Sequence, residues 1–175
     1  MNKGVVVWVT GLSGAGKTTI SLQLAQKLRM NGRDCVLLDG DQLRKAVHSN
    51  QSGFDRSSRL ENAWRNCRLA KLLADQGFTI ILATISLFKE IHDWNRINFP
   101  QYIEIFIDVP LTVLRERDHN GLYSGSEKGL VRDVVGLDLE YDRPRKPDFI
   151  FNNQGELSDT AAFTEMMSEN IISSY

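Results

Sequence analysis

The sequence predicts an α/β protein with a mostly parallel five-stranded sheet, helices on both faces and a lid loop. Three observations predict it. Short β-branched apolar runs alternate with helix-length segments along the chain, the pattern of βαβ units. The first run, Val5–Thr10, is continuous in its apolar character, which suits a strand covered on both faces. A glycine-rich turn, GLSGAGKT, stands between that strand and the next helical segment. With 175 residues, the chain has room for one domain, residues 1–175, with a proper core.

Each element has its own signal. Residues 18–30 carry Ile20, Leu24 and Leu28 four apart and end at Gly32, as a helix with a glycine cap does. Residues 34–38 form a second strand, and a short helix follows Asp41. A polar loop spans 49–54. Residues 58–76 form a long helix whose apolar face holds Leu60, Ala63, Trp64, Cys67, Ala70 and Leu73. Residues 78–84 make the third strand, 87–97 a helix and 102–108 the fourth strand. Pro110 suits the first turn of the next helix, where its missing N–H costs nothing. Residues 148–151 make the fifth strand and 160–172 a closing helix. The stretch GLYSGSEKGLVRDVVGLD, 121–138, has four glycines, seven apolar residues and no clean period. It is expected to be a lid, about 118–138, reaching a ligand beyond the carboxyl ends of the strands.

Composition narrows the classes of function. Hydrophobic residues make up 42% and charged residues 25%, and the net charge is −1. No overall basic field draws the chain to nucleic acid or to a membrane. The basic cluster Arg143, Arg145, Lys146 is broken by Pro144 and Pro147 and reads as a solvated surface turn. The two cysteines, Cys35 and Cys67, fit a reducing compartment better than a disulfide or a metal site. The short apolar N-terminal run fits neither a cleaved leader nor a membrane span. A cytoplasmic protein is expected.

The sequence 11–18 matches G-x-x-x-x-G-K-[ST] in the context that gives the pattern meaning, after a strand and opening a helix. Gly11, Gly14 and Gly16 allow the backbone to wrap a phosphate, and its N–H groups, with the helix N-terminus, supply donors. Ser13, Ala15 and Thr19 complete the expected ATP-binding loop. Lys17 brings charge to the terminal phosphates, and the Thr18 hydroxyl ligates Mg²⁺. The donor is expected to be ATP with Mg²⁺.

The segment LLDGDQLR, 37–44, places Asp39 and Asp41 where the second strand ends. Taken alone, Asp41 reads as a helix cap and Asp39 as a turn residue. Beside a phosphate loop, a carboxylate can hold the Mg²⁺ shell or accept the proton of an attacking hydroxyl. The third strand ends without an acid, so this work falls to Asp39 and Asp41. No N-K-x-D signature for guanine is present. Arg115 and Arg117 precede the lid, either to clamp the transferring phosphoryl or as solvated helix charges. A small phosphotransferase fits best. A nucleotide-binding regulatory protein without transfer activity is the alternative from another class.

Six blocks resemble the adenylyl-sulfate kinase family in order and spacing: GLSGAGKTT, LDGDQLR, GFDRSSRLENAWR, ATIS, ERDHNGLY and VVGLD. The resemblance covers residues 4 to 153 and implies a P-loop kinase. That family moves the γ-phosphate of MgATP to the ribose 3′-hydroxyl of adenylyl sulfate. It implies that Asp41 lies near that hydroxyl and on the metal, that Arg44, Arg59 and Asn62 hold the acceptor, and that Phe54 stacks on its base. Ile85, Ser86 and Leu122 fall near the acceptor, and Arg117 at the nucleotide. The departures are on the acceptor side: Leu87 stands where the family has proline, Ser124 and Gly125 where it has basic residues, and Val134 where it has a base-sandwiching phenylalanine. In TISLFKEIHDWNR and DVVGLDLEYDRP the chain looks closer to family members of capsule clusters, one group of which phosphorylates cytidine diphosphoramidate. The resemblance therefore implies two partners, ATP and a small nucleotide acceptor, and is compatible with a homodimer.

Overall fold

The computed structural model describes residues 4–47, 53–118, 120–153 and 157–174. Five strands form one parallel sheet in the order β2-β3-β1-β4-β5. They are β1 (Val5–Thr10), β2 (Cys35–Asp39), β3 (Thr79–Thr84), β4 (Gln101–Asp108) and β5 (Phe149–Asn152). The helices are α1 (Lys17–Met30), α2 (Gly40–Val47), α3 (Arg56–Asp75), α4 (Lys89–Asn98), α5 (Leu111–Arg117), α6 (Leu122–Glu127) and α7 (Leu157–Ser174).

Strand β1 explains why the first apolar run is continuous. Val5, Val7 and Val9 point into the layer that holds Ile20, Leu24 and Leu28 of α1. Val6 and Trp8 point into the opposite layer, against Ala63, Cys67 and Ala70 of α3. Every β1 residue is buried, and each such aliphatic side chain contributes about 1.5–3 kcal/mol on leaving water. Both cysteines are free and buried within these layers.

Most element ends shift by a residue or more from the sequence reading, and three differences have a visible cause. Helix α3 begins at Arg56, two residues early, because Asp55 caps it: its carboxylate accepts from Ser58 N at 3.0 Å and Ser58 Oγ at 2.6 Å. Helix α4 begins at Lys89, where the Asp142 carboxylate accepts the Lys89 N–H at 3.0 Å. The lid segment is not a plain loop. It contains α6, whose start is fixed by Asp118, which accepts from Tyr123 N and Ser124 N, each at 2.9 Å. Of the polar loop 49–54, residues 49–52 lie outside the described residues, as does residue 119 of the lid.

Candidate active site

A cleft of about 720 Å³ opens between the phosphate loop, α2, the start of α3, the end of β3 and the lid. Its floor follows from the topology. Strands β1, β2 and β3 are neighbours and deliver the loops at their carboxyl ends to one place.

The phosphate loop is held from three sides. Gly16 has φ 100°, and a Cβ there would lie 2.5 Å from Asn153 Nδ2, so the left-handed turn and the close approach both require glycine. No side chain caps α1, so its first N–H groups face the cleft as donors. Asn153, just past β5, donates from Nδ2 to Ala15 O at 2.8 Å. Tyr123 of α6 donates its hydroxyl to Ser13 O at 2.8 Å. Lys17 Nζ donates to Leu12 O at 2.7 Å. Loss of hydration pushes the Lys17 ammonium down to about 8, while the Asp41 and Asp39 carboxylates pull it back up.

The two carboxylates separate in role. Asp39 is buried at 9% exposure. Its Oδ2 accepts the Thr18 hydroxyl at 2.8 Å. Its Oδ1 accepts Asp41 N at 3.0 Å and Gln42 N at 3.3 Å, so Asp39, rather than Asp41, caps α2. Asp41 is exposed to the cleft. Thr18 and Asp39 would offer a bound Mg²⁺ a hydroxyl and a carboxylate oxygen, a small set that suits an ion taking its other ligands from substrate phosphates and water. No cluster of three or more His, Cys, Asp or Glu able to hold a metal occurs among the described residues, so a metal here must rely on the nucleotide.

Just before α3, Phe54 is 55% exposed. Arg44 lies over its ring at 4.7 Å and Arg59 at 5.4 Å. Arg59 also donates to Phe54 O at 2.6 Å and to Asp133 O of the lid at 2.8 Å, tying the start of α3 to the lid. Asn62 accepts from Arg65 at 3.3 Å and lines the cleft. Ser86 has φ 27°, unusual for a side-chain-bearing residue, and its hydroxyl meets Thr84 Oγ1 at 2.8 Å. Such strain concentrates at ligand sites. In the lid, Asp133 has φ 63°, and the turn is pinned by Asp138, which accepts the N–H groups of Asp133 and Val134.

Of the residues expected from sequence, Ser13, Gly14, Gly16, Lys17, Thr18, Thr19, Asp39, Asp41, Arg44, Phe54, Arg59, Asn62, Ile85, Ser86, Leu122 and Val134 line this one cleft. Gly11 and Ala15 lie behind it. Arg117 is not in its wall. It donates to Asn153 O at 2.9 Å and so reaches the phosphate loop through Asn153. Arg115 pairs with Glu127 at 3.1 Å on the surface. Val134 is 1% exposed and packs into the main core, so it lines the cleft as part of the core rather than as an exposed surface. Sequence reasoning missed Tyr123, Asn153 and Asp138 as site supports. An aromatic inside a glycine-rich segment and a polar pair ending the last strand were the available signals.

A parallel sheet with a phosphate loop and a carboxylate on the loop's threonine, at the carboxyl ends of its strands, defines a P-loop kinase. Within that class the chain belongs to the adenylylsulphate kinase family, whose model matches residues 3–152. It is 40% identical to the cytidine diphosphoramidate kinase of Campylobacter jejuni over 87% of this chain and 88% of that protein. It is 38% identical to the adenylyl-sulfate kinase of Aeromonas salmonicida over 88% of this chain and 79% of that protein. The Mycobacterium tuberculosis APS kinase, solved in complex with AMPPNP and APS, superposes with a TM-score of 0.88 at 30% identity, covering 98% of this chain and 99% of that one. The protein is an ATP-dependent phosphotransferase acting on an alcohol group.

Proposed function

We propose that the protein transfers the γ-phosphate of MgATP to a ribose hydroxyl of a small nucleotide, as adenylyl-sulfate kinases do, with adenylyl sulfate as acceptor. The observation that carries this is the placing of Lys17, Thr18–Asp39, Asp41 and Phe54 on one cleft. In this reading the loop amides and Lys17 hold the donor phosphates. Thr18 and Asp39 hold the metal, with Asp41 a further ligand through its position beside them. When bound, the metal neutralises charge on the β- and γ-phosphates. Asp41 orients the acceptor hydroxyl and receives its proton as the phosphoryl leaves ADP. Phe54, backed by Arg44 and Arg59, stacks on the acceptor base. Ile85, Ser86 and Leu122 border the acceptor, and Arg117 supports the donor loop.

A second reading takes cytidine diphosphoramidate as acceptor. Val134 favours it, standing where the sulfate enzymes' pattern has phenylalanine. A base–aromatic stack is worth about 1–3 kcal/mol, and a purine loses more than a pyrimidine when one ring of the sandwich is missing. Measuring kcat/KM for both acceptors decides between them, since specificity is a ratio of those constants. A preference for adenylyl sulfate of tenfold or more, about 1.4 kcal/mol, supports the first reading, and the reverse preference the second. No helix among the described residues is long and apolar enough to cross a membrane. With two free thiols, a cytoplasmic place fits.

A further inference from the structure

One face of α3 is built to pack. Its Ala63, Cys67 and Ala70 are buried in one cluster with Val6, Trp8 and Leu82 of the sheet. Asn66 lies three residues after Ala63 and four before Ala70, so it shares that face. It is 6% exposed and lines the cleft. Packing alone would place an apolar residue there. Its side-chain amide makes no hydrogen bond among the described residues, yet neither Oδ1 nor Nδ2 is among the sealed, partnerless atoms. The amide therefore opens on the cleft. A polar group held out of water without a partner is costly, and a ligand that supplies the partner offsets the cost.

Along α3 the cleft has an outer and an inner end. Phe54, more than half exposed, stands at the outer end with Arg59 of the first turn. Arg59, Asn62 and Asn66 follow one another at spacings of three and four and line one side. Asn66 is two turns further in than Arg59, roughly 10 Å along the helix axis. Thr84 and Ser86, both buried, line the cleft at the end of β3, with their hydroxyls 2.8 Å apart.

We propose that Asn66 is a specificity residue for the acceptor and holds the terminal group of its 5′ chain. This rests on the reading of the cleft as a nucleotide acceptor site. A base stacked on Phe54, with the ribose hydroxyl at Asp41, leaves the 5′ chain to run inward along α3. An amide offers one donor group, Nδ2, and one acceptor, Oδ1. A terminal sulfate has only acceptor oxygens and engages Nδ2 alone. A terminal phosphoramidate has oxygens and an N–H, and engages both atoms. Asn66 thus serves either acceptor and gives the phosphoramidate end one hydrogen bond more.

The test holds the base constant and changes the end. With MgATP, kcat/KM is measured for adenylyl sulfate and adenosine 5′-diphosphoramidate, and for cytidine 5′-phosphosulfate and cytidine diphosphoramidate, in the parent and in Asn66→Leu. With either base, the substitution should move the ratio toward the sulfate end by about fivefold or more, the size of one hydrogen bond, with the KM for ATP unchanged. Thermal unfolding should not fall, because an unpaired buried amide is removed. Asn66→Ala, matched to its alanine neighbours, repeats the comparison where leucine overfills the site. Equal losses for the two ends overturn the proposal, since Asn66 would then meet the base or the ribose. An unchanged kcat/KM in a folded variant overturns it too, and makes Asn66 a structural residue. A parent that phosphorylates none of the four acceptors overturns the reading of the cleft and this proposal with it, whereas transfer by the parent with an unmoved ratio overturns this proposal alone.

Discussion

Asp39→Asn separates the two tasks of one carboxylate. Asp39 Oδ1 accepts two N–H groups at the start of α2, at 3.0 and 3.3 Å. Asparagine keeps an oxygen for them and ranks with aspartate as a helix cap. The cost in stability should therefore stay under about 1 kcal/mol, a shift in Tm of about 2–4 °C at most for a chain of this size. Asp39 Oδ2 faces Thr18 at 2.8 Å, and there the substitution removes the charge that would share the metal. Losing one preorganised electrostatic contact to the transition state costs about 10²–10³ in rate. ADP release with saturating acceptor should fall by that factor while thermal unfolding barely moves. Asp39→Ala should lose the same activity and about 1 kcal/mol more stability, through the cap. If Asp39→Asn stays within about tenfold of the parent, worth about 1.4 kcal/mol of barrier, while Asp41→Asn loses its activity, the metal carboxylate is Asp41 and the reasoning from Thr18 fails.

Burial lowers Lys17 to about 8, and ATP phosphates favour its charged form. Nucleotide binding above that pH should therefore take up a proton, and ATP affinity should fall as pH rises through about 8. Calorimetry in buffers of different ionisation heat checks this, and affinity constant up to pH about 10, near the ordinary lysine value, would refute it. Val134→Phe should cost about 1–3 kcal/mol of stability by overpacking, because Val134 is 1% exposed in the core. It should also move the kcat/KM ratio toward adenylyl sulfate by about tenfold if the ring stacks; an unchanged ratio in a folded variant sinks the lid reading. Tyr123→Phe removes the hydroxyl on Ser13 O, a net loss of about 1 kcal/mol. Its signature is weaker ATP binding with an unchanged acceptor KM, read from steady-state kinetics.

The strands and the phosphate loop were legible because their signals are local. A β-branched run, a glycine turn and a four-residue apolar spacing each act within one element. What was not legible depends on which elements meet. Nothing in 37–44 distinguishes Asp39 from Asp41 as partner of Thr18, because that choice is made by the pairing of β2 with β3 and by the turn into α2. The lid read as a loop because α6 is only six residues long and contains a glycine, too short for a period; Asp118, outside it, starts it. Asn153 and Arg117 cooperate at the phosphate loop only because β5 lies beside β4. Val134 was expected as a contact for the acceptor, and its share in the core appears only once the lid is packed against Leu12. His92 and Glu104 lie twelve residues apart and meet only because α4 crosses back over β4.

Transfer to a ribose hydroxyl is read from the product of the reaction. The protein is incubated with MgATP and each acceptor in turn, ADP is quantified, and the product is examined by ³¹P–¹H correlation NMR. ADP formation should depend on acceptor and be matched by a new phosphomonoester coupled to a ribose proton. ADP released at the same rate without acceptor, or no phosphomonoester on the ribose with either one, would contradict it.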